Sequence, residues 1–316
     1  MANDKKRIFA VVGPTAGGKT ALAIELAKRL DGEVISCDSM QIYRGMDIGT
    51  AKPSNEEMQG VTHHMLDVAD PRLTFSSEDY SLLAEKCIDD IISRGKTPIF
   101  CGGTGLYLDC VLRGVRDDGA NEDPQFRAEM ESLAAMYGNG YVHARLAEID
   151  PEAAQAIHEN NLKRVIRALE VYHMTGKTKT ELDRISRTAE SKYEAKIIYL
   201  CFNSRELLYE RINRRVDIML ENGLEKEVRK LYESGALCGD TTAGQAIGYK
   251  EMLKYIEGQI TLSEAADEIK QNSRRYAKRQ LTWFGAKEGF YKLYVDDEKG
   301  IRDLRCIADE AEKYLI

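Results

Sequence analysis

The sequence predicts an α/β protein: a parallel sheet wound by helices, with an all-α insertion. Three observations carry that expectation. Short apolar runs of β type alternate with amphipathic helical runs over residues 1–115. From 125 to 187 only helical periodicity is visible. After 195 the alternation resumes. The core is therefore expected at 1–115 and 195–316, and a helical insertion domain at 116–194. The polar, turn-rich stretch 116–124 (RDDGANEDP) is the expected boundary.

Ile8–Val12 is the first expected strand, and GPTAGGKT, Gly13–Thr20, follows it. The octapeptide matches G-x-x-x-x-G-K-[ST] at Gly13, Gly18, Lys19 and Thr20, with a helical pattern from Ala21 to Leu30 behind it. Glycines at such positions let the backbone approach a ligand, and amide N–H groups with a helix dipole favour an anion. Lys19 adds a point charge for terminal phosphate oxygens, and Thr20 a hydroxyl for a phosphate-bound Mg²⁺. Gly13, Pro14, Thr15, Ala16, Gly17, Gly18, Lys19 and Thr20 are thus the expected polyphosphate cradle of a P-loop NTPase-like core. The motif specifies a polyphosphate with a metal, not a nucleotide and not phosphoryl transfer. A bare glycine turn joining strand to helix is the alternative.

Glu33–Cys37 is the second strand. It ends at Asp38, which opens DSMQIYRGMDIGTAKP, 38–53. A carboxylate at the C-terminal end of a parallel strand can act as a general base or hold Mg²⁺ through water, or it can simply cap a turn. His63–Val68 is a third strand, whose adjacent His63 and His64 point in different directions and read as structural. Ser77–Arg94 is a helix capped by Ser76 or Ser77. Thr97–Cys101 is strand four, and Gly102-Gly103-Thr104-Gly105 leads into a helix near Leu106. That turn either presents Thr104 to a phosphate or polar substrate atom or merely reverses the chain.

The insertion is expected to hold helices at Phe126–Tyr137, Val142–Ile149, Glu152–Ile157 and Leu162–Met174, the last with a basic cluster at Lys163, Arg164 and Arg167. Ala195–Phe202 is the fifth strand, and Ser204 caps a helix running to Leu220. Arg205, Arg211, Arg214 and Arg215 crowd that helix; Arg211 and Arg215 share a face and suit charge on a leaving group, or a solvated surface. Helices at Leu224–Glu233, Ile247–Ile256 and Leu262–Phe284 follow. A strand at Phe290–Val295 and a helix at Ile301–Tyr314 close the pattern.

Composition narrows the function. The net charge of −7 excludes a globally basic nucleic-acid binder. Lys270 to Lys287 nevertheless carries six Lys/Arg and no Asp/Glu, and Tyr276, Trp283 and Phe284 lie among them. Phosphate contact and base stacking use those residue types, as does a core helix with a charged outer face. No apolar run approaches the roughly 20 residues a membrane span needs, and no signal peptide is apparent, so a cytoplasmic protein without a membrane partner is expected. The seven Cys, at 37, 87, 101, 110, 201, 238 and 306, form no C-x-x-C pair and read as reduced thiols rather than disulfides or zinc ligands.

Seven stretches occur in order: GPTAGGKT, CDSMQIYRGMDIGTAKP, GGTGLYL, NNLKRVIRALEVYHMTGKT, RINRRVDIMLENGLEKEV, QAIGYKEM and KRQLTWF. Together they resemble the bacterial tRNA dimethylallyltransferase (tRNA isopentenyltransferase) family over about residues 7–295. Gly17 stands where that family usually has Ser, which removes a hydroxyl and leaves the cradle. The resemblance implies transfer of the dimethylallyl group of dimethylallyl diphosphate to the exocyclic N6 amine of the adenosine just 3′ of the anticodon. The tRNAs would be those reading codons that begin with U, and diphosphate would be released.

By the same resemblance, Asp38 is the general base, Lys19, Arg215 and Mg²⁺ stabilise the departing diphosphate, and Thr20 holds the metal. Thr104 contacts the target nucleotide or the diphosphate. tRNA contacts are implied at Asp38, Ser39, Met40, Gln41, Thr104, Arg127, Lys163, Arg164, Val165, Ile166 and Arg167, and more weakly from Gln245 to Lys250 and from Arg275, through Lys278 and Arg279, to Gln280. The implied partners are the tRNA anticodon stem-loop, gripped by the insertion, and dimethylallyl diphosphate; a monomer is expected. An adenylate isopentenyltransferase, a P-loop small-molecule kinase and a non-catalytic RNA-binding protein compete with this reading. A mononucleotide needs no helical insertion, a kinase leaves DSMQIYRGMDIGTAKP unexplained, and Asp38, Thr104 and Arg215 together argue against a non-catalytic binder.

Overall fold

The computed structural model describes residues 5–113, 123–188, 191–237 and 241–316, by backbone alone at 186–188. The expected boundary stretch lies outside the described residues except for Asp123 and Pro124, and Cys238 also lies outside them. The chain divides into two compact units, Met1–Asp109 with Tyr193–Ile316, and Cys110–Lys192.

The first unit runs through β1 (Lys6–Val12), α1 (Lys19–Arg29), β2 (Gly32–Ser36), α2 (Asn55–Met58), β3 (His63–His64), α3 (Ser77–Ser93), β4 (Thr97–Gly102) and the start of α4 (Gly105–Arg113). The second unit adds α5 (Pro124–Tyr137), α6 (Asn139–Ile149), α7 (Pro151–Ala156), α8 (Leu162–Thr175) and α9 (Lys179–Thr188). The first unit then resumes with β5 (Tyr193–Cys201), α10 (Arg205–Glu221), α11 (Leu224–Glu233), α12 (Tyr249–Ile256) and α13 (Leu262–Gly285). It closes with β6 (Tyr291–Tyr294), β7 (Asp296–Asp297), β8 (Gly300–Ile301) and α14 (Leu304–Leu315).

Six strands form one parallel sheet in the order β3-β2-β4-β1-β5-β6. Its central strands read as unbroken apolar runs because helices cover both faces. Phe9, Val11, Val34, Ile99, Ile198 and Leu200 pack with Leu22 and Leu26 of α1 and with Ile307 and Ala311 of α14. Each large side chain so buried contributes roughly 1.5–3 kcal/mol. Ser76 and Asp79 form a capping box that starts α3, and Ser204 caps α10 by accepting from the Leu207 N–H. No helix among the described residues is long and apolar enough to cross a membrane, and Cys37, Cys87, Cys101, Cys201 and Cys306 form no disulfide.

The structure departs from the sequence reading at several element ends. Strand β3 stops at His64, short of Val68, because Met65 and Asp67 take left-handed φ of 63° and 56°. Ile301 belongs to the small antiparallel β7–β8 pair rather than to the last helix, which begins only after Asp303 caps it. Helix α2, one turn with no buried residue, and helix α9 are additional to the elements the sequence reading expects. His63 and His64 are structural. The first bonds the Val61 carbonyl at 2.9 Å, and the second lies 2.7 Å from the buried Glu33 carboxylate.

The second unit has its own core, with Met130, Val142, Leu146, Val165, Ile166 and Leu169 at its centre. Within α8's buried stripe, between Leu169 and Val171, sits Glu170, fully buried. It accepts from the Asp123 N–H at 2.8 Å, from Arg127 at 2.7 and 2.9 Å, and from Arg167 at 2.7 Å. Burial by itself would raise this carboxyl, but the two guanidiniums and the amide outweigh it and hold it below the ordinary carboxylate range.

The ends of β2 and β4 approach closely. Cys37 donates its N–H to Cys101 and accepts the N–H of Thr104, at 2.8 and 3.1 Å. A Cβ on Gly102 would lie 1.9 Å from the Cys37 carbonyl oxygen, so only glycine fits. Gly102→Ala is therefore expected to destabilise the protein by about 2 kcal/mol or more, read as a lowered urea midpoint. An unchanged midpoint would contradict the close approach.

Candidate active site

Three turns leave neighbouring strand ends in the first unit. They are the P-loop after β1, the GGTG turn after β4 and the Asp38 segment after β2. Parallel sheets place ligand sites at this edge. A cleft of about 1430 Å³ opens there, and its lining includes Thr15, Lys19, Thr20, Asp38, Arg215 and Tyr276.

The P-loop backbone explains its own composition. Gly18 caps α1 at φ 87° and brings no side-chain cap, so the first N–H groups of α1 are left for an anion. Gly17 donates its N–H to the Pro14 carbonyl at 3.1 Å and closes the turn. Gly13 ends β1 beside Leu200 of β5. Lys19 folds back and donates to the Pro14 carbonyl at 2.8 Å. Burial pushes the Lys19 ammonium down to about 8; Arg215 adds to that, while Cys101, Asp38 and Cys37 oppose it. Thr20, next along α1, meets the buried Cys101 thiol.

Helix α10 supplies two cations to the same loop. Arg211 donates through Nε to the Ala16 carbonyl at 2.9 Å, and Arg215 through Nη1 to Thr15 Oγ1 at 3.0 Å. Their spacing of four residues puts both on the face turned to the P-loop. Burial lowers both guanidiniums, and the Asp38 charge works against that shift at Arg215. Arg214 is exposed at the cleft, whereas Arg205 is exposed and does not line it.

Asp38 is both a turn cap and a cleft residue. Its Oδ1 accepts the Met40 N–H at 2.9 Å, and it stays partly exposed to the cleft. Thr104 is engaged inside the protein: its Oγ1 accepts the Ser39 N–H at 3.0 Å and lies 3.3 Å from Ser39 Oγ. The Tyr276 phenol also hydrogen-bonds Thr104. Gln41 turns inward as well, taking the Ser36 hydroxyl at 2.9 Å and donating to the Thr50 and Ala51 carbonyls.

Gln280, expected only as the end of a weak tRNA-contact stretch, instead holds two of the turns together. Gln280 of α13, 4% exposed, accepts the Thr15 N–H at 2.8 Å and donates to the Gly103 carbonyl at 3.0 Å. A Cβ on Gly103 would strike its amide nitrogen at 2.1 Å. A trace was present in the sequence: Gln280 sits three residues past Ala277 and four before Phe284, on the buried stripe of α13.

The remaining candidates scatter. Lys163 and Arg164 are exposed on α8. Val165 and Ile166 are corrections: both are buried in the second unit's core and present no side chain to a ligand. Arg127 and Arg167 are tied to Glu170. Gln245 is exposed, and Lys250 is partly buried beside Glu251 at 3.8 Å. Arg275, Lys278 and Arg279 are exposed on α13, with Arg279 lying over the Tyr276 ring.

The IPP transferase family model matches residues 41–287. The chain is 50% identical over 303 residues to a tRNA dimethylallyltransferase of Halalkalibacterium halodurans, covering 95% of this chain and 96% of that one. It is 51% identical over 287 residues to a tRNA dimethylallyltransferase of Bacillus subtilis, covering 91% and 90%. Among solved structures it is similar to the full-length tRNA isopentenylpyrophosphate transferase of Bacillus halodurans, with TM-score 0.70 and 47% identity over 98% of this chain and 97% of that one. A eukaryotic dimethylallyltransferase acting on tRNA gives TM-score 0.77 at 30% identity, over 92% of this chain and 74% of that one. With a strand-end P-loop, a facing carboxylate and this likeness over nearly its whole length, the chain belongs to the IPP transferase family.

Proposed function

We propose that the protein transfers the dimethylallyl group of dimethylallyl diphosphate to the N6 amine of an adenosine beside the tRNA anticodon. The observation that carries this is that Asp38 lines the same cleft as Lys19 and Arg215. A proton acceptor and an anion cradle thus flank one space. The relatives' named activity fixes the chemical class.

The exocyclic amine of adenine is a weak nucleophile. As its nitrogen bonds to C1 of the dimethylallyl group, the C1–O bond to diphosphate breaks and an N6 proton passes to the Asp38 carboxylate. The Met40 N–H held by Oδ1 fixes the carboxylate and leaves Oδ2 for the proton. Lys19, the open amides of α1, Arg211 and Arg215 take up the charge that grows on the departing diphosphate. The three cations are already part-desolvated, which strengthens their pull on an anion.

The residues present fit Mg²⁺. No group of three or more His, Cys, Asp or Glu among the described residues could hold a metal ion. A cation here would take the Thr20 hydroxyl and otherwise diphosphate oxygens and water, which is the habit of Mg²⁺. When bound it neutralises charge on the diphosphate.

For acceptor binding, we assign tRNA contact to exposed Lys163 and Arg164, to Arg127 and Arg167 as presented by Glu170, and to Gln245 and Lys250. Exposed Arg275, Lys278 and Arg279 on α13 join them. Single-stranded anticodon loops let a base leave its stack at low cost.

The test is transfer of labelled dimethylallyl to unmodified tRNA, beside AMP and ATP as acceptors. Label on tRNA alone is expected. Label on AMP, or phosphate transferred from ATP, would replace this reading. Asp38→Asn keeps the cap to Met40 and cannot take a proton, so kcat is expected to fall by about 10²–10⁴ with diphosphate binding intact. Lost diphosphate binding would give Asp38 a metal role instead.

Lys19 sets a pH dependence. Its charge is present below about 8 and is lost as pH rises through that value. Diphosphate affinity is expected to fall above it, by up to about ten-fold per pH unit, and Lys19→Ala is expected to abolish that slope. Arg275→Ala with Arg279→Ala is expected to raise the KM for tRNA and flatten its salt dependence; an unchanged slope would make the outer face of α13 a solvated surface only.

A further inference from the structure

Three motifs take no part in the bond-making step above, namely MDIGTAKP, GLEKEV and IGYKEM, although Lys250 of the last is assigned to tRNA contact. They meet at one side chain. Glu227 of α11 accepts the N–H groups of Asp47 and Ile48 on Oε2, at 3.0 and 2.8 Å, and that of Gly49 on Oε1, at 3.1 Å. The phenol of Tyr249, first residue of α12, donates to Oε1 at 2.6 Å. Four donors on one carboxylate make a strong, charge-assisted clasp. Burial and the Glu227 charge hold the Tyr249 phenol well above its usual value, so it stays a donor. Gly49 lies flat against the Tyr249 ring, where a Cβ would come within 2.5 Å of a ring carbon.

The clasp continues toward Asp38. Immediately past Gly49, the carbonyls of Thr50 and Ala51 accept from Gln41 Nε2 at 3.3 and 3.1 Å. Gln41 Oε1 takes the Ser36 hydroxyl at 2.9 Å, at the end of β2. Lys52 braces the same loop, reaching the Tyr43 carbonyl at 2.9 Å and Asp47 at 2.6 Å. A continuous run of hydrogen bonds thus joins α11 and α12 to the Asp38–Gln41 segment. None of the four bonds to Glu227 reaches the P-loop.

We propose that Glu227 is a positioning residue for the acceptor side of the site. Its carboxylate, clasping the 47–49 amides and the Tyr249 phenol, sets the Asp38–Gln41 segment where the acceptor nucleotide must lie. This rests on the proposed function, in which Asp38 faces the acceptor amine. Because none of the clasp's bonds reaches the P-loop, although Asp47 and Ile48 line the same cleft, its loss is expected to separate the two substrates.

Glu227→Gln replaces one acceptor oxygen by an NH₂ that faces N–H donors. Tyr249→Phe removes a single hydroxyl and keeps the ring, and it carries the test where Glu227→Gln lowers the folded fraction. The measurements are kcat and KM for tRNA and for dimethylallyl diphosphate, with calorimetric affinity for Mg²⁺–diphosphate. In Glu227→Gln, kcat/KM for tRNA is expected to fall about ten-fold or more, and in Tyr249→Phe about three-fold. Diphosphate affinity is expected to stay within about two-fold of wild type in both, which also reports an intact core.

Wild-type kinetics in both variants would overturn the assignment. So would diphosphate affinity falling in step with the tRNA parameter in Tyr249→Phe, since the clasp would then be general scaffolding. A wild-type protein that prenylates no tRNA would overturn the functional reading itself, and this inference with it.

Discussion

The side-by-side pairing of β2, β4 and β1 is the constraint on which the site depends. Parallel strands lie about 4.8 Å apart, and their C-terminal ends share one edge. The sheet order therefore delivers Asp38, the GGTG turn and the P-loop as consecutive neighbours. Backbone hydrogen bonds fix the coarse separation of Asp38 and the P-loop, and side chains adjust it. Thr104 ties the GGTG turn to Ser39, and Gln280 ties it to Thr15. A lost side-chain tie disturbs the geometry, whereas a lost strand pairing removes the site.

The charge balance follows from that arrangement. A protein of net charge −7 cannot draw polyanions by its overall field. It concentrates cations where the sheet edge already presents amides. Lys19, Arg211 and Arg215 bond the P-loop's own oxygens and are partly stripped of water. In the proposed reaction an arriving diphosphate would replace a carbonyl or hydroxyl partner with a full charge, at little cost in reorganisation. In the second unit the device differs: a buried anion, Glu170, anchors two arginines and sets their direction.

Much of this was legible from local pattern. The P-loop, the carboxylate at the end of β2 and the alternation of strands and helices are short-range features. Their meaning does not depend on distant residues. The Gln280 tie was hidden because its partners lie far away in sequence, and the local signal of α13 is its basic outer face. Val165 and Ile166 fell inside a basic segment, but a 3.6-residue period turns two of those five positions into the core. The short β3 depends on left-handed φ at Met65 and Asp67; Asp enters that region more readily than most residues, but Met65, where the strand ends, gives no sign of it. The role of loop 47–49 was not legible at all, because its amides are held by Glu227, 178 to 180 residues further on.

The sheet order also has a consequence for synthesis. Strand β1 sits inside the sheet, yet it is made first, and its neighbour β5 begins only at Tyr193, after the whole second unit. As the ribosome extends the chain, one long edge of β1 waits unpaired, because β4 can cover only the other. The Thr15 amide waits longer still, for Gln280, 265 residues downstream. Unpaired apolar edges invite pairing with other chains. A message truncated within the second unit would therefore yield an aggregation-prone fragment rather than a half-active enzyme.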